Sequence, residues 1–261
     1  MKTSSSLNFI KRVSILAFAC VSLVLAGCSH DVFTKDYSEA REAEAALPKF
    51  DHGALKHSDA VWERIAAAVS PSPLNSLLVV MYNELMNPEV FQETLSQSAL
   101  WSIPVNVLGC RRIFNFNVSG DKAKLADINA EVVTLEEGSG IFFSGVCCDV
   151  NQETFNTLCS IYSECHDLVP VIVSDVSGDR FTVAYMFSVR EARFHTGADA
   201  LPLGDRFNAI WQAVETAGHG EEFASSYLDT TFAANGNSIT TLLPSNSQNV
   251  EAREVVAEAR S

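Results

Sequence analysis

Residues 103–117 of this 261-residue chain read IPVNVLGCRRIFNFN, and this segment is the most informative about the architecture. Its residues are mostly apolar, and Gly109 interrupts them near the middle. An apolar run rich in β-branched and aromatic residues predicts a β-strand, and an isolated glycine inside such a run predicts a bend. We therefore expect one long strand that bends near Gly109.

Strands and helices are predicted on both sides of this segment. The strands are expected at residues 76–82, 141–150, 168–176 and 180–189, the last two forming a hairpin through Ser-Gly-Asp. Helices are expected at residues 59–69, 87–97, 151–161, 203–217 and 221–233, whereas residues 119–127 are rich in turn formers. Because strands and helices do not alternate regularly, the order favours an α+β fold with a largely antiparallel or barrel-like sheet.

The composition is strongly acidic, with 18 Lys and Arg against 32 Asp and Glu and a formal net charge of -14 at pH 7. Such a surface repels the phosphates of nucleic acids and the headgroups of anionic lipids. We therefore expect no nucleic-acid partner and no long-range capture of anionic ligands.

The N-terminus has the pattern of a secretory signal peptide. Lys2, Lys11 and Arg12 precede an apolar run at residues 13–26 that is shorter than the roughly 20 residues needed to span a bilayer. The sequence Leu25-Ala-Gly-Cys28 that ends the run resembles the lipobox of bacterial lipoproteins. This resemblance implies cleavage before Cys28 and three acyl chains on that residue, whereas an ordinary signal peptide with a chance cysteine is the alternative.

This interpretation predicts a domain order and a location. We expect a signal peptide at 1–27, a lipidated polar tether at 28–57, a globular domain at 58–236 and a polar C-terminal tail at 237–261. If Cys28 carries lipid, a membrane is the one partner that the sequence predicts. Ser29 instead of Asp after the lipidated residue implies the outer membrane, facing the periplasm of a bacterial cell envelope.

Five cysteines follow Cys28, and they are best interpreted as small buried hydrophobic residues. An oxidising compartment leaves a disulfide between Cys159 and Cys165 as an alternative. Zinc-type spacings such as C-x-x-C are missing from the sequence, so no metal site and no cofactor is expected. These cysteines are Cys110, Cys147, Cys148, Cys159 and Cys165.

Four segments, in order, resemble the γ-glutamyl cyclotransferase family. Met81 to Leu85 stands at the position of the family's Tyr-Gly-Ser loop, and Val107 to Asn115 resembles its L-x-G-[YF]-R-R-x-F-N strand. The other two are Ser144 to Leu158 and Pro202 to Thr231, which resemble a strand–helix unit and a C-terminal helical pair. The resemblance covers roughly residues 76–233 and implies a small closed mixed β-barrel flanked by helices, with a pocket at its mouth.

The resemblance also implies a reaction. The α-amine of a γ-glutamyl group attacks its own γ-carbonyl, so that 5-oxoproline forms and the other amine leaves, while a glutamate moves the proton. Tyr82, Asn83, Glu84 and Leu85 are the ligand-binding residues that it implies. Asn83 and Glu84 replace the family's glycine and serine, and a carboxylate at Glu84 would face an anionic substrate.

The implied position of the catalytic glutamate holds Tyr162, and Glu164 follows two residues later. Tyrosine, with a usual pKa near 10, is a poor base at neutral pH. We therefore expect a binding or accessory protein without catalysis, whose ligand is a γ-glutamyl compound or a cell-wall peptide. The alternative is an active γ-glutamyl cyclotransferase that uses Glu164 as base. A structural lipoprotein with an unknown protein partner is the third class.

Two adjacent pairs have alternative interpretations. Cys165-His166 could form a nucleophile and base, but a buried thiol beside a surface histidine is favoured because neighbouring side chains on an extended segment point apart. One arginine of Arg111-Arg112 could bind a ligand carboxylate inside the barrel. Structural charges are the favoured interpretation of that pair.

Overall fold

The computed structural model describes residues 32–69, 75–133 and 140–242. The sequence predicted to be a lipobox, Leu25–Cys28, and the last 19 residues of the predicted tail lie outside this part of the chain. All of the elements below belong to one unit that begins at Thr34. No helix in the described residues is long and apolar enough to cross a membrane.

The segment at residues 103–117 forms two strands that meet at Gly109. Strand β2 is Trp101–Leu108, β3 is Cys110–Phe116, and the φ angle of Gly109 is +66°. A positive φ favours glycine, and here it turns the chain from one sheet into another. The predicted bend is confirmed, but the single long strand is wrong because the turn is sharp enough to end the first ladder.

The first sheet contains five strands, in the order β1-β5-β2-β6-β7. Besides β2 they are β1 (Leu77–Met81), β5 (Phe142–Val150), β6 (Asp167–Ser174) and β7 (Phe181–Ser188). All of these neighbours pair antiparallel, and β6 and β7 form the predicted hairpin. Strand β7 also pairs in parallel with β1 at Val79–Tyr185 and Val80–Met186, so the ladder returns to its first strand.

The second sheet has the order β8-β4-β3-β9. Its other strands are β4 (Leu125–Val132), β8 (Leu201–Pro202) and β9 (Thr231–Ala233). Neither β4 nor β9 was expected, since the sequence predicts a turn region up to residue 127 and a helix up to residue 233. Both strands pair with β3, in the antiparallel direction for β4 and in the parallel direction for β9. A tertiary partner therefore decides their conformation.

The N-terminal part of the described chain packs on the first sheet. Lys35 exchanges backbone hydrogen bonds with Phe181, and Phe50 exchanges them with Leu168. Helices α1 (Tyr37–Ala46) and α2 (His52–Leu55) lie around these contacts. The predicted polar tether therefore does not extend to residue 57, because the chain from Lys35 onward is held by pairing with β6 and β7.

Five further helices are close to their predicted positions. They are α3 (Ser58–Val69), α4 (Pro88–Leu95), α5 (Gln152–Tyr162), α6 (Gly204–Thr216) and α7 (Glu221–Asp229). The side chain of Asn87 accepts hydrogen bonds from the first turn of α4, and Asn151 does the same for α5. Asparagine satisfies free N–H groups at a helix start in this way, which is why both starts could be predicted. The mixed content confirms the α+β class.

Arg112 is a fully buried charge in the core. Its guanidinium donates to the hydroxyl of Thr231 and to the carbonyl groups of Ser144 and Tyr227, and it stacks 3.3 Å from the centre of the Tyr227 ring. Burial lowers the pKa of Arg112 to about 10, so it stays charged at neutral pH. Neighbouring Arg111 pairs with Glu131 at 2.8 Å. Both arginines are therefore structural.

All five cysteines of the described domain are buried free thiols, as the favoured interpretation predicts. Burial raises the pKa of the Cys148 and Cys159 thiols to about 12. Cys159 and Cys165 are not bonded to each other. These residues serve as packing groups in the core.

Candidate functional site

A cavity of about 260 Å³ opens between the end of β1, strand β4, the end of α5 and helix α6. Its walls combine aromatic rings, aliphatic side chains and a few charged groups. The lining residues are Tyr82, Asn83, Phe116, Val118, Asp127, Ile128, Ile161, Tyr162, Glu164, Cys165, His166 and Arg206.

The cavity brings together most of the site residues that the sequence predicts. Tyr82 and Asn83 line one side, and Tyr162 and Glu164 line the other, although some eighty residues separate the two pairs. Glu84 and Leu85 are not in the wall. Leu85 is buried in the core, and Glu84 turns to a different partner.

Asn83 and Tyr162 are joined directly. The side-chain amide of Asn83 donates a hydrogen bond of 2.8 Å to the Tyr162 hydroxyl, and its oxygen accepts one of 3.1 Å from the Leu85 amide. The φ angle of Asn83 is −120°, so this position does not use the left-handed conformation that glycine favours. The loop is therefore held by side-chain hydrogen bonds where the implied family motif has glycine and serine.

Glu84, Arg206 and Asp127 form a charged cluster. The Arg206 guanidinium contacts Glu84 Oε1 at 2.5 Å and both carboxylate oxygens of Asp127 at 3.1 Å. Burial alone would lower the pKa of Arg206, but the two carboxylates raise it above its ordinary value. Glu84 thus neutralises an arginine instead of facing a ligand, so the expected direct repulsion of an anionic substrate by this residue is wrong.

Tyr82 carries a buried hydroxyl at the cavity wall. The residue is 3% exposed, and the hydroxyl has no hydrogen-bond partner of good geometry among the described side chains and backbone. Burial raises its pKa well above the usual value, and the neighbouring Tyr162, Asp127 and Glu84 raise it further, whereas a weak backbone contact in which the Ala130 N–H approaches the hydroxyl oxygen lowers it. No protein acceptor therefore takes the Tyr82 proton.

His166 is buried in the cavity wall, so the expected surface histidine is wrong. Its ring lies between Phe116 and Tyr162, at centroid distances of 5.1 and 4.8 Å. His166 follows the turn at residues 163–165 and directly precedes β6, and its side chain lies in the cavity wall. Burial lowers the pKa of His166 to about 4 and raises the pKa of the Cys165 thiol. At neutral pH both groups are uncharged, which does not favour a thiolate nucleophile.

Glu164 lies at the mouth of the cavity. It is exposed, in the turn that follows α5. Two aliphatic side chains flank the same mouth, Val118 at 64% and Ile161 at 46% exposure. The mouth is therefore apolar on part of its rim and carries one acidic side chain.

Comparisons with known proteins find no matching protein-family model. No curated protein matches the sequence either. Solved structures do match, at low identity. The structure is similar to a γ-glutamyl cyclotransferase. That match has a TM-score of 0.43 and 11% identity, and it covers 70% of this chain and 99% of the cyclotransferase.

Two other solved structures have comparable similarity to this chain. An uncharacterised protein from Homo sapiens matches with a TM-score of 0.44 and 10% identity over 72% of this chain and 100% of its own. A protein from Arabidopsis thaliana matches with a TM-score of 0.36 and 14% identity over 47% of this chain and 74% of its own. The structural neighbours thus include the cyclotransferase type of fold, and they give no information on activity.

Several wall residues were not predicted from the sequence. Asp127 lies on β4, a strand that the sequence does not predict, and Arg206 lies 79 residues further along the chain in α6. Their pairing had no local signal, since it depends on how α6 packs beside β4. Among the described residues, no group of three or more His, Cys, Asp and Glu side chains is placed to hold a metal ion.

Proposed function

We propose that this chain is a lipid-anchored envelope protein whose domain binds a small ligand in the described cavity without catalysing a reaction. The fold that we infer is a small closed β-barrel of the γ-glutamyl cyclotransferase type, supported by the pairing of β7 with β1. The anchor is inferred from the lipobox at Cys28, and the location from Ser29.

The observation that carries this proposal is the state of the buried titratable groups in the cavity. Proton transfer is most efficient when the pKa of the catalytic group lies near the working pH. Burial moves the pKa values of Tyr82 and Tyr162 upward and that of His166 down to about 4. All three move away from neutral pH, so none is suited to carry a proton in a cyclisation.

The charged wall residues support the same conclusion. Asp127 is held in a two-pronged contact by Arg206, which also binds Glu84. The Tyr162 hydroxyl, at the position that the resemblance assigns to the proton-transferring glutamate, accepts a hydrogen bond from Asn83. These contacts give a rigid, hydrogen-bonded wall, which suits recognition.

Active cyclotransferase chemistry is the second candidate, and Glu164 is the observation that favours it. This carboxylate lines the same cavity as Tyr82 and Asn83. It is exposed at the rim, so it could act only on a substrate whose amine lies near the mouth.

The test is release of 5-oxoproline from γ-glutamyl-alanine by the purified protein, Glu164→Gln and Glu153→Gln. Glu153 is the matched control, because it is an exposed glutamate in the first turn of α5, away from the cavity. We expect no release by any of the three. Release that is lost in Glu164→Gln and kept in Glu153→Gln would establish the enzyme and overturn the proposal.

Ligand binding has its own test. We propose that γ-glutamyl compounds or cell-wall peptides are the ligands, and isothermal calorimetry with γ-glutamyl-alanine and purified muropeptides measures their binding. Val118→Trp should obstruct the mouth and weaken binding at least tenfold. Val176→Trp is the control, since Val176 is equally exposed at 67% but lies in the β6–β7 turn. Equal binding by both variants would place the ligand elsewhere.

Lipid attachment is tested by expression of the full chain in bacteria. We expect the protein in the membrane fraction, with mass spectrometry showing a triacylated N-terminal cysteine. Cys28→Ser should abolish acylation, whereas Cys20→Ser, in the apolar part of the signal, should not. Acylation that persists in Cys28→Ser would contradict this part of the proposal.

A further inference from the structure

His166 is a buried polar side chain of the cavity wall that has no hydrogen-bond partner in the protein. The residue is 9% exposed, and its ring is held between those of Phe116 and Tyr162. Neither ring nitrogen makes a hydrogen bond to any residue that the structure describes. Burial lowers the pKa of His166 to about 4. At neutral pH the imidazole therefore has one N–H that can donate and one nitrogen that can accept.

Two tyrosine hydroxyls of the same wall each lack an acceptor. The Tyr162 oxygen accepts a hydrogen bond from the Asn83 amide, and the Tyr82 oxygen is approached by the Ala130 N–H. Neither hydroxyl proton has an acceptor within the described part of the chain, although both residues are more than nine-tenths buried. Buried polar groups in native proteins are nearly always hydrogen-bonded to protein, water or ligand. These hydroxyls therefore point to an acceptor on the ligand.

The charges around the cavity decide between a charged and an uncharged acceptor. The carboxylates of Asp127 and Glu164 line the cavity, and Arg206 is already paired with Asp127 and Glu84. A ligand carboxylate would join three carboxylates that share one guanidinium, in a place where water is partly excluded and charges interact strongly. A carbonyl oxygen accepts the same hydrogen bonds without adding a charge. An ammonium group has only N–H donors, so it cannot accept the hydroxyl protons.

We infer that the group bound inside the cavity is an uncharged amide. Its carbonyl oxygen accepts hydrogen bonds from the hydroxyls of Tyr82 and Tyr162, and its N–H donates to the free nitrogen of His166. This inference rests on the proposed binding function and names the chemical class of the ligand group. It favours a peptide amide over the charged α-amino and α-carboxylate end of a γ-glutamyl compound.

The test compares three probes that share a phenyl group and a three-carbon chain, by nuclear magnetic resonance titration of the purified protein at pH 7. They are the uncharged 3-phenylpropionamide, the anionic 3-phenylpropionate and the cationic 3-phenylpropylamine. The phenyl group suits the rim, where the side chains of Val118 and Ile161 are exposed. We expect the amide to bind at least about tenfold more tightly than either charged probe, because it alone supplies an acceptor without a charge.

A fourth probe tests the part of His166. Methyl 3-phenylpropionate keeps the carbonyl but has no N–H, so it leaves the accepting nitrogen of the imidazole unpaired. It should bind about threefold more weakly than the amide, or weaker still. Equal binding of the ester and the amide would overturn the assignment of the amide N–H to His166.

Two variants locate the amide. Tyr82→Phe removes only a hydroxyl whose proton has no acceptor, and it should weaken the amide about fivefold while leaving the amine unchanged. His166→Phe should weaken the amide until it binds no better than the ester. The matched control is Tyr185→Phe, because the Tyr185 hydroxyl donates to the Pro48 carbonyl and lies outside the cavity wall. Circular dichroism of each variant checks that it is folded.

The outcomes separate this inference from the proposed function. Tighter binding of the carboxylate or the amine than of the amide overturns the inference but leaves a binding protein, as does binding of muropeptides with no binding of any probe. Amide binding that is equal in Tyr82→Phe and Tyr185→Phe overturns the placement. Binding of none of the probes, muropeptides or γ-glutamyl-alanine overturns the proposed function together with the inference. Release of 5-oxoproline in the earlier assay overturns the non-catalytic function alone.

Discussion

The side-chain amide of Asn83 donates a 2.8 Å hydrogen bond to the hydroxyl of Tyr162, 79 residues further along the chain. Both residues are buried, and the bond joins the exit of β1 to the last turn of α5. The Tyr162 ring also stacks on Phe187 at 4.4 Å, which ties the same point to β7. This bond therefore fixes the shape of the cavity from both of its walls.

Tyr162→Phe should lower the free energy of unfolding by about 1–3 kcal/mol, because it leaves the Asn83 amide buried without its acceptor. Urea denaturation followed by circular dichroism measures this. Tyr37→Phe is the control, since Tyr37 is half-buried against Phe181 outside the cavity. Similar losses in the two variants would show that the Asn83–Tyr162 bond contributes little.

Arg206→Gln should destabilise the domain by about 1–3 kcal/mol, because Glu84 and Asp127 would then face each other without a cation. This expected loss in stability is at the low end for a broken ion pair because all three side chains are partly exposed. Adding Glu84→Gln to Arg206→Gln should recover part of the loss, since one of the opposed charges is gone. Arg193→Gln, which breaks an exposed pair with Glu191, is the control and should change stability by less than about 1 kcal/mol.

His166 should make the domain less stable as the pH falls from about 6.5 to about 4. Burial holds the pKa of the native imidazole at about 4, whereas the unfolded chain binds a proton near pH 6.5. Below pH 6.5 protonation therefore stabilises the unfolded state relative to the native state. The resulting loss in the free energy of unfolding reaches about 3 kcal/mol at the lower end of this window. His166→Phe should flatten the pH dependence of urea denaturation over this range.

The exposed His57 provides the control for that experiment. His57→Gln should keep the full pH dependence of the parent protein. If His166→Phe and the parent lose stability in parallel between pH 6.5 and 4, other groups are responsible and the assignment to His166 is wrong.

Gly120 and Gly140 have nearly the same φ, +60° and +63°, but different surroundings. A Cβ at Gly120 would lie 2.0 Å from the carbonyl oxygen of Arg193, whereas at Gly140 it would meet no atom of the described residues within 4 Å. Gly140→Ala should cost about 1 kcal/mol from its backbone conformation alone. Gly120→Ala should cost clearly more, by thermal denaturation, and equal costs would show that the loop at Arg193 moves freely aside.

The elements that could be predicted are those with local signals. Asn87 and Asn151 cap their helices with their own side chains, and Gly109 marks the bend where the chain changes sheets. Each of these features needs only a few neighbouring residues. The apolar runs of β1 and β5 are likewise sufficient to predict buried strands.

The elements that could not be predicted depend on distant partners. Residues 125–132 read LADINAEV and residues 231–233 read TFA, and both become strands because β3 offers backbone groups to pair with. One side of the cavity wall follows from this. Asp127 is in the wall only because β4 forms, and Arg206 reaches Asp127 only because α6 packs beside that strand.

The burial of Arg112 has a consequence for how the domain unfolds. It projects from β3, yet the groups that hold its charge belong to β5, β9 and α7. Opening either sheet alone would leave an ion in a dry interior without compensation, at a cost of several kcal/mol. Melting is therefore expected to be all-or-none, with secondary structure and side-chain packing lost in a single cooperative step.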